Sequence, residues 1–172
     1  MKVVQLNSTC GVGSTGKICV SISKLLSENN VINYILYTSG TSGYPLGIKC
    51  SGTVYKKIQA LKSRVLGNYG FNSGKATKKI IAELKHVEPD IVHLHNIHGH
   101  DCNLKKLFNY LKRKNIKLYW TFHDCWAFTG GCMHFVHTNC DKWRIECCNC
   151  PRSNKFVDKS REQFNLKKSL FV

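Results

Sequence analysis

Four short stretches of this chain hold residue types that can do chemistry. The first is His123-Asp124, inside WTFHDCWAFTGGC. A neutral imidazole donates to or accepts from a hydroxyl, and an adjacent carboxylate biases its proton or binds a second hydroxyl. The second is HLHNIHGH, His93 to His100. Strand alternation puts His93 and His95 on one face and Leu94 on the other, with Asn96, His98 and His100 beyond the strand's end. Asp101 is the one carboxylate placed beside them, so this cluster suits polar contacts to sugar hydroxyls better than a metal. The third is GVGSTGKI, Gly11 to Ile18. Its glycines let backbone N–H groups approach an anion, and the helix that follows adds its partial positive charge. A nucleoside-triphosphatase loop needs a hydroxyl for Mg²⁺ where this chain has Ile18. The dinucleotide pattern at Gly11, Gly13 and Gly16 lacks its acidic partner, because the second strand ends in Tyr37-Thr38. What remains is a turn shaped for phosphate or sugar hydroxyls, or a plain tight connection.

The fourth stretch is the set Cys132, Cys140, Cys147 and Cys150, spaced C-x7-C-x6-C-x2-C. Its terminal C-x2-C is the usual knuckle for two thiolates on one tetrahedral Zn²⁺, and such a site folds a loop too short to make its own core. The spacing predicts a structural zinc. Cys148, His134 and His137 complicate the ligand set, and free thiols are the alternative. Cys10, Cys19, Cys50, Cys102 and Cys125 read as small buried or turn residues.

These residues need a frame. Residues 2–6 and 31–37 read as strands, separated by a helix with Ile18, Ile22, Leu25 and Leu26 on its inner face. Residues 39–52 read as a loop with a short edge strand at 46–50, and 54–66 can be helical before a break at 68–74. A helix over 75–87 presents Ile80, Ile81, Leu84 and Val87, and Pro89 stops it. Strands at 90–95 and 117–122 flank a helix marked by Leu104, Leu107, Phe108 and Leu111, and a basic helix is expected within 156–172. Strands alternating with helices predict an α/β fold, a doubly wound parallel Rossmann-like sheet in one domain over 1–172. Its ligands gather where strands end, which is where His95, His123 and the Gly-rich turn fall.

The balance of 26 Lys+Arg against 10 Asp+Glu, net +16, favours a polyanionic neighbour: nucleic acid, an anionic membrane face or a phosphorylated ligand. A Lys-rich solvated surface is the bland alternative. The aromatics are not interleaved with Lys/Arg on strand faces as a base-stacking platform requires, so no nucleic acid is expected. No twenty-residue apolar run and no secretion signal are visible, which predicts a cytoplasmic protein with reduced thiols.

With LNSTCGVGSTGKI, PDIVHLHNIHG and WTFHDCWAFTGGC on the page, followed by spaced cysteines ending in C-x2-C-P, the chain resembles the N-terminal half of bacterial glycosyltransferases of family 4, the GT-B type. It is most similar in motifs to the capsule, O-antigen and exopolysaccharide transferases. The resemblance implies two facing Rossmann-like domains that move a sugar, with retention, from a nucleotide-diphosphate sugar to a glycan or lipid-linked acceptor. It implies that residues 1–172, with the cysteine-rich loop 125–151, are the acceptor-side domain, and that the nucleotide-sugar domain lies outside them. Gly13 and Ser14 would line the cleft near the donor phosphates. His95, Asn96 and His98 would lie along the acceptor side, and His123 and Asp124 would contact the transferred sugar or acceptor hydroxyl. A peripheral position at the inner membrane face is implied too, with the basic stretches 54–66 and 103–114 against anionic lipid. A zinc-stapled nucleic-acid module and a non-catalytic fragment are the competing expectations.

Overall fold

The structure, a computed structural model, describes residues 1–66, 70–71, 73–98, 101–151 and 157–171. His100, Phe156, Val172 and part of the expected break at 68–74 lie outside them. In chain order the elements are β1 (Lys2–Asn7), α1 (Gly13–Glu28), β2 (Ile32–Tyr37), β3 (Gly47–Lys49), α2 (Thr53–Leu66), α3 (Gly74–Val87), β4 (Ile91–Leu94), α4 (Leu104–Arg113), β5 (Lys117–Trp120) and α5 (Ser160–Leu170). Three 3₁₀ turns, Trp126–Phe128, Val136–Thr138 and Lys142–Arg144, break up the segment after β5.

The five strands form one parallel sheet in the order β3-β2-β1-β4-β5. This is the doubly wound, Rossmann-like order, in which the chain runs outward from β1 in one direction and then returns to run outward in the other. The reversal leaves a crevice between the C-terminal ends of β1 and β4. Val4, Leu6, Leu36, Val92 and Leu94 are buried against Ile80 and Leu84 of α3 and Leu104, Leu107 and Leu111 of α4. Each such side chain contributes about 1.5–3 kcal/mol on leaving water. On the opposite face Ile35 and Tyr37 pack with Cys10 and with Cys19 of α1.

The inner face of α1 differs from the expected one. Gly16, Cys19 and Ser23 are its buried residues, whereas Ile18 and Leu25 are exposed. A face of small residues lets the helix lie close on the sheet, so periodicity of large apolar side chains pointed to the wrong stripe. Tyr44 Oη donates to Ser23 Oγ at 3.0 Å, and Ser23 Oγ in turn donates to Asn33 Oδ1, so this contact is partly polar.

Candidate functional site

The rim formed by the strand ends gathers the sequence-singled residues. After β1, Asn7 acts as a tie. Its Nδ2 donates to the Thr9 carbonyl at 2.8 Å and lies 3.4 Å from Thr15 Oγ1, while its Oδ1 accepts from the Asn96 backbone N–H at 3.1 Å. One buried side chain thus holds the Gly-rich turn against the end of β4. The turn itself is closed by Gly11 N–H donating to Gly16 O at 3.0 Å. A Cβ on Gly16 would sit 2.7 Å from Thr9 Oγ1, so this position is glycine for packing. Gly13 has φ +68° with open space around it, and it and Ser14 are exposed at the first turn of α1. The helix starts here, inside the stretch that the sequence reads as a Gly-rich turn, so the backbone amides of its first turn lie on the rim.

Beyond β4 and β5 the histidines form a file. His93 Nε2 is 2.8 Å from Thr121 Oγ1, which links the two strands. His95 Nδ1 is 3.0 Å from His123 Nε2, and His95 Nε2 is 3.1 Å from Gln5 Oε1. Gln5 is fully buried in the middle of β1, and its Nε2 donates to the Cys19 carbonyl at 3.0 Å. That carbonyl only accepts, so the amide nitrogen must face it and the amide oxygen must face His95. His95 Nε2 therefore carries the proton and its Nδ1 accepts. His123 Nε2–H must then donate to it, which leaves His123 Nδ1 as the ring nitrogen with a lone pair to offer when the ring is neutral. Burial first, then the neighbouring His93 and His123, push the His95 pKa down to about 3, so His95 stays neutral at ordinary pH. His93 is shifted down as well, by burial and then by His123.

His95 is only 1 % exposed and stands behind His123, at the back of the recess that both border. The resemblance implies acceptor contact for it; its side-chain hydrogen bonds are to His123 and Gln5. Asn96, His98, His123 and Asp124 border one recess together with Phe122 and Trp126. Asp124 is committed within it. Oδ1 accepts from the Trp126 backbone N–H at 2.9 Å and Oδ2 is 2.9 Å from His98 Nε2. Burial raises its pKa, but the contacts with His98 and the Trp126 N–H outweigh that, and the net shift is downward. It is an anion that fixes the turn after His123 and orients His98.

Three residues of this rim carry no motif. Asp101 is buried where β1 and β2 end, and its Oδ1 accepts from Ser8 Oγ at 3.2 Å and from Thr38 Oγ1. Lys167 of α5 is 1 % exposed, donates to the Trp126 carbonyl at 2.6 Å and lies 4.0 Å from the centre of the Trp126 ring. Burial lowers its pKa to about 7 against the opposing pull of Cys147 and Asp124. Gln5 is the third; its trace in sequence is a polar residue within an otherwise apolar strand run, while Asp101 is the carboxylate that closes the histidine-rich stretch.

The zinc expectation is not supported. Cys132, Cys140, Cys147 and Cys150 border a common pocket, yet among the described residues no three Cys, His, Asp or Glu side chains converge closely enough to hold a metal ion. Other contacts organise the loop. Phe128, Phe135 and Trp143 form an aromatic cluster with ring centres 4.9–6.4 Å apart. The Cys147–Cys150 knuckle is held by Lys142 Nζ, which donates to the Cys148 and Asn149 carbonyls, and by Asp158, which accepts from the Cys150 N–H at 2.9 Å. Burial shifts the Cys147 thiol upward, toward the protonated form. None of the ten cysteines is joined in a disulfide.

No family model matches the chain. A protein of Escherichia coli (strain K12) described as the colanic acid biosynthesis glycosyl transferase WcaC is 23% identical over 188 residues, covering 99% of this chain and 45% of that protein. The chain spans about half the length of the curated relative it matches. The match extends over nearly the whole chain and agrees with a glycosyltransferase of GT-B-like N-terminal architecture.

Proposed function

We propose that this chain is the acceptor-side half of a retaining glycosyltransferase that moves a sugar from a nucleotide-diphosphate donor to a glycan or lipid-linked oligosaccharide. The observation that carries the reading is that Asn7 ties the Gly-rich turn before α1 to Asn96 at the β1/β4 reversal, and that Asn96, His98 and His123 border one recess there. In this reading His123 Nδ1 accepts from a hydroxyl of the acceptor or transferred sugar. His95 and Gln5 hold the proton on the opposite nitrogen, so that in the neutral ring the lone pair is the one that faces outward. Asn96 and His98 supply further polar contacts, and the α1 amides face the donor phosphates.

The donor itself requires a second domain. Without it, charge developing on the sugar and leaving phosphate meets water and not preorganised donors. The 172-residue chain is therefore expected to bind acceptor glycans without turning over. The test is a heteronuclear NMR titration with acceptor oligosaccharides, followed by incubation with nucleotide sugars. Shifts at His123, Asn96, His98 and the Gly11–Gly16 turn support the reading. Shifts that miss these residues, or none with any glycan, refute it; turnover by this chain alone refutes the division of labour.

A further inference from the structure

A hollow of about 320 Å³ lies between the segment after β5 and α5. Phe128 and Trp143, with ring centres 5.4 Å apart, line it together with Phe164 of α5 and Phe171 at that helix's C-terminal cap. Its charged lining has one sign: Arg144, Lys167 and Lys168 contribute, and no Asp or Glu does. Arg144 and Lys168 are exposed, and the Arg144 guanidinium lies 5.7 Å from the centre of the Trp143 ring. The hollow adjoins the recess that holds His123. Lys167 borders the hollow and donates to the carbonyl of Trp126, which borders the recess. Phe122 of the recess and Phe128 of the hollow have ring centres 6.0 Å apart.

We propose that this hollow is a second sugar subsite, which takes a carboxylate-bearing ring of the acceptor while the ring next to it meets His123. Resting on the transferase reading, this names the acceptor class: an acidic oligosaccharide of two rings or more. A pyranose carries C–H groups on its faces, and their partial positive charge matches the negative face of an aromatic ring. The polar recess is suited to hydroxyls, and the wall of Phe128, Trp143 and Phe171 to the apolar face of the next ring. Small-molecule sites from about 300 Å³ upward have this make-up, mostly apolar and aromatic with a few polar groups that fix orientation. The charged groups here are all cations. Arg144 offers a planar fork of N–H donors that matches a carboxylate, and Lys168 adds a second positive charge. A neutral ring would use the aromatic wall alone, so discrimination falls to these two side chains. The subsite also gives the cysteine-rich loop 125–151 a task, since that loop supplies Phe128, Trp143 and Arg144.

The test is an NMR titration of the 172-residue chain with tetrasaccharides in which glucuronic acid alternates with N-acetylglucosamine, against the same tetrasaccharides with their carboxyls reduced to alcohols. The acidic form is expected to shift the Trp143 indole and the Arg144 and Lys168 amides together with His123 and Asn96, and to bind about tenfold tighter than the reduced form. The double variant R144E/K168E should lose that tenfold and keep the shifts at His123. Both side chains are exposed, so its thermal melting should stay near the parent's. Equal affinity for the two forms, no shift anywhere, or a preference for acid untouched by R144E/K168E overturns the subsite. So does tighter binding at the hollow by a single-stranded oligonucleotide, or a dimer in light scattering that R144E/K168E dissociates. The two readings fail separately. Shifts at His123 with Trp143, Arg144 and Lys168 silent remove the subsite and leave the recess; shifts at the hollow with His123 and Asn96 silent keep an acidic-glycan site there and remove the transferase reading of the recess.

Discussion

Replacing Gln5 with leucine isolates the relay that sets the proton on His123. Gln5 is fully buried, and its amide serves two buried groups at once, the Cys19 carbonyl and His95 Nε2–H. In Q5L His95 Nε2–H loses its acceptor, while the Cys19 carbonyl, in the interior of α1, keeps the backbone donor of its own helix. One unsatisfied buried polar group costs about 1–3 kcal/mol. At about 2–4 °C per kcal/mol for a chain of this size, the melting temperature should fall by roughly 2–12 °C. The sharper readout is the tautomer. In the parent, nitrogen-detected NMR should find His95 neutral from pH 5 to 8 with its proton on Nε2, and neutral His123 with its proton on Nε2 as well. Without Gln5, His95 gains by moving its proton to Nδ1 and donating it to His123 Nε2, and the His123 proton then shifts to Nδ1. Two results would refute the reasoning: a His123 tautomer unchanged in Q5L, or a parent His95 that titrates near the ordinary histidine range. The second needs no variant to fold.

Two further outcomes follow from the same geometry. Lys167 has its folded pKa lowered to about 7 from 10.5, so above pH 7 the unfolded chain binds the extra proton and stability should rise with pH. Cys19 and Cys50, pushed up to about 12 from 9.0, act in the opposite sense once pH passes 9, because only the unfolded thiols then ionise. Urea midpoints measured across alkaline pH should climb from pH 7 and turn down above 9, and K167M should flatten the climb. In the Gly-rich turn, Gly16→Ala forces a Cβ to within 2.7 Å of Thr9 Oγ1 and should cost about 1–3 kcal/mol. Gly13→Ala meets no atom and should cost only the left-handed backbone penalty, about 1–2 kcal/mol. Chemical denaturation of the two variants checks the order, and T9A should rescue G16A in part.

Much of the architecture was legible in local pattern. Alternating apolar strands and 3.6-residue periodicity in α3 and α4 are carried by neighbours in sequence, so β4, its preceding helix and Pro89 could be read without the fold. The rim motifs were legible for the same reason, since each lies directly after a strand. The direction in which a helix faces was not. In α1 the sheet takes Gly16, Cys19 and Ser23, and in α2 the domain takes Gln59 and Ser63, because close approach and hydrogen bonding at those contacts outweigh the size of the apolar side chains. The spacing of the cysteines suggested a metal because spacing reports which ligands can reach a common centre and not whether they do. In this loop an aromatic cluster, Lys142 and Asp158 do the organising.

What the amino-acid order determined by itself was the succession of strands and helices, and with it the set of polar residues left at strand ends. Tertiary structure decided which of them meet solvent. His95 and His123 are 28 residues apart and look equivalent on paper, yet one is sealed behind the other by Gln5, a residue 90 positions away. The proton arrangement on a half-buried histidine is thus dictated by a buried amide two strands away, because hydrogen-bond direction passes through space and not along the chain.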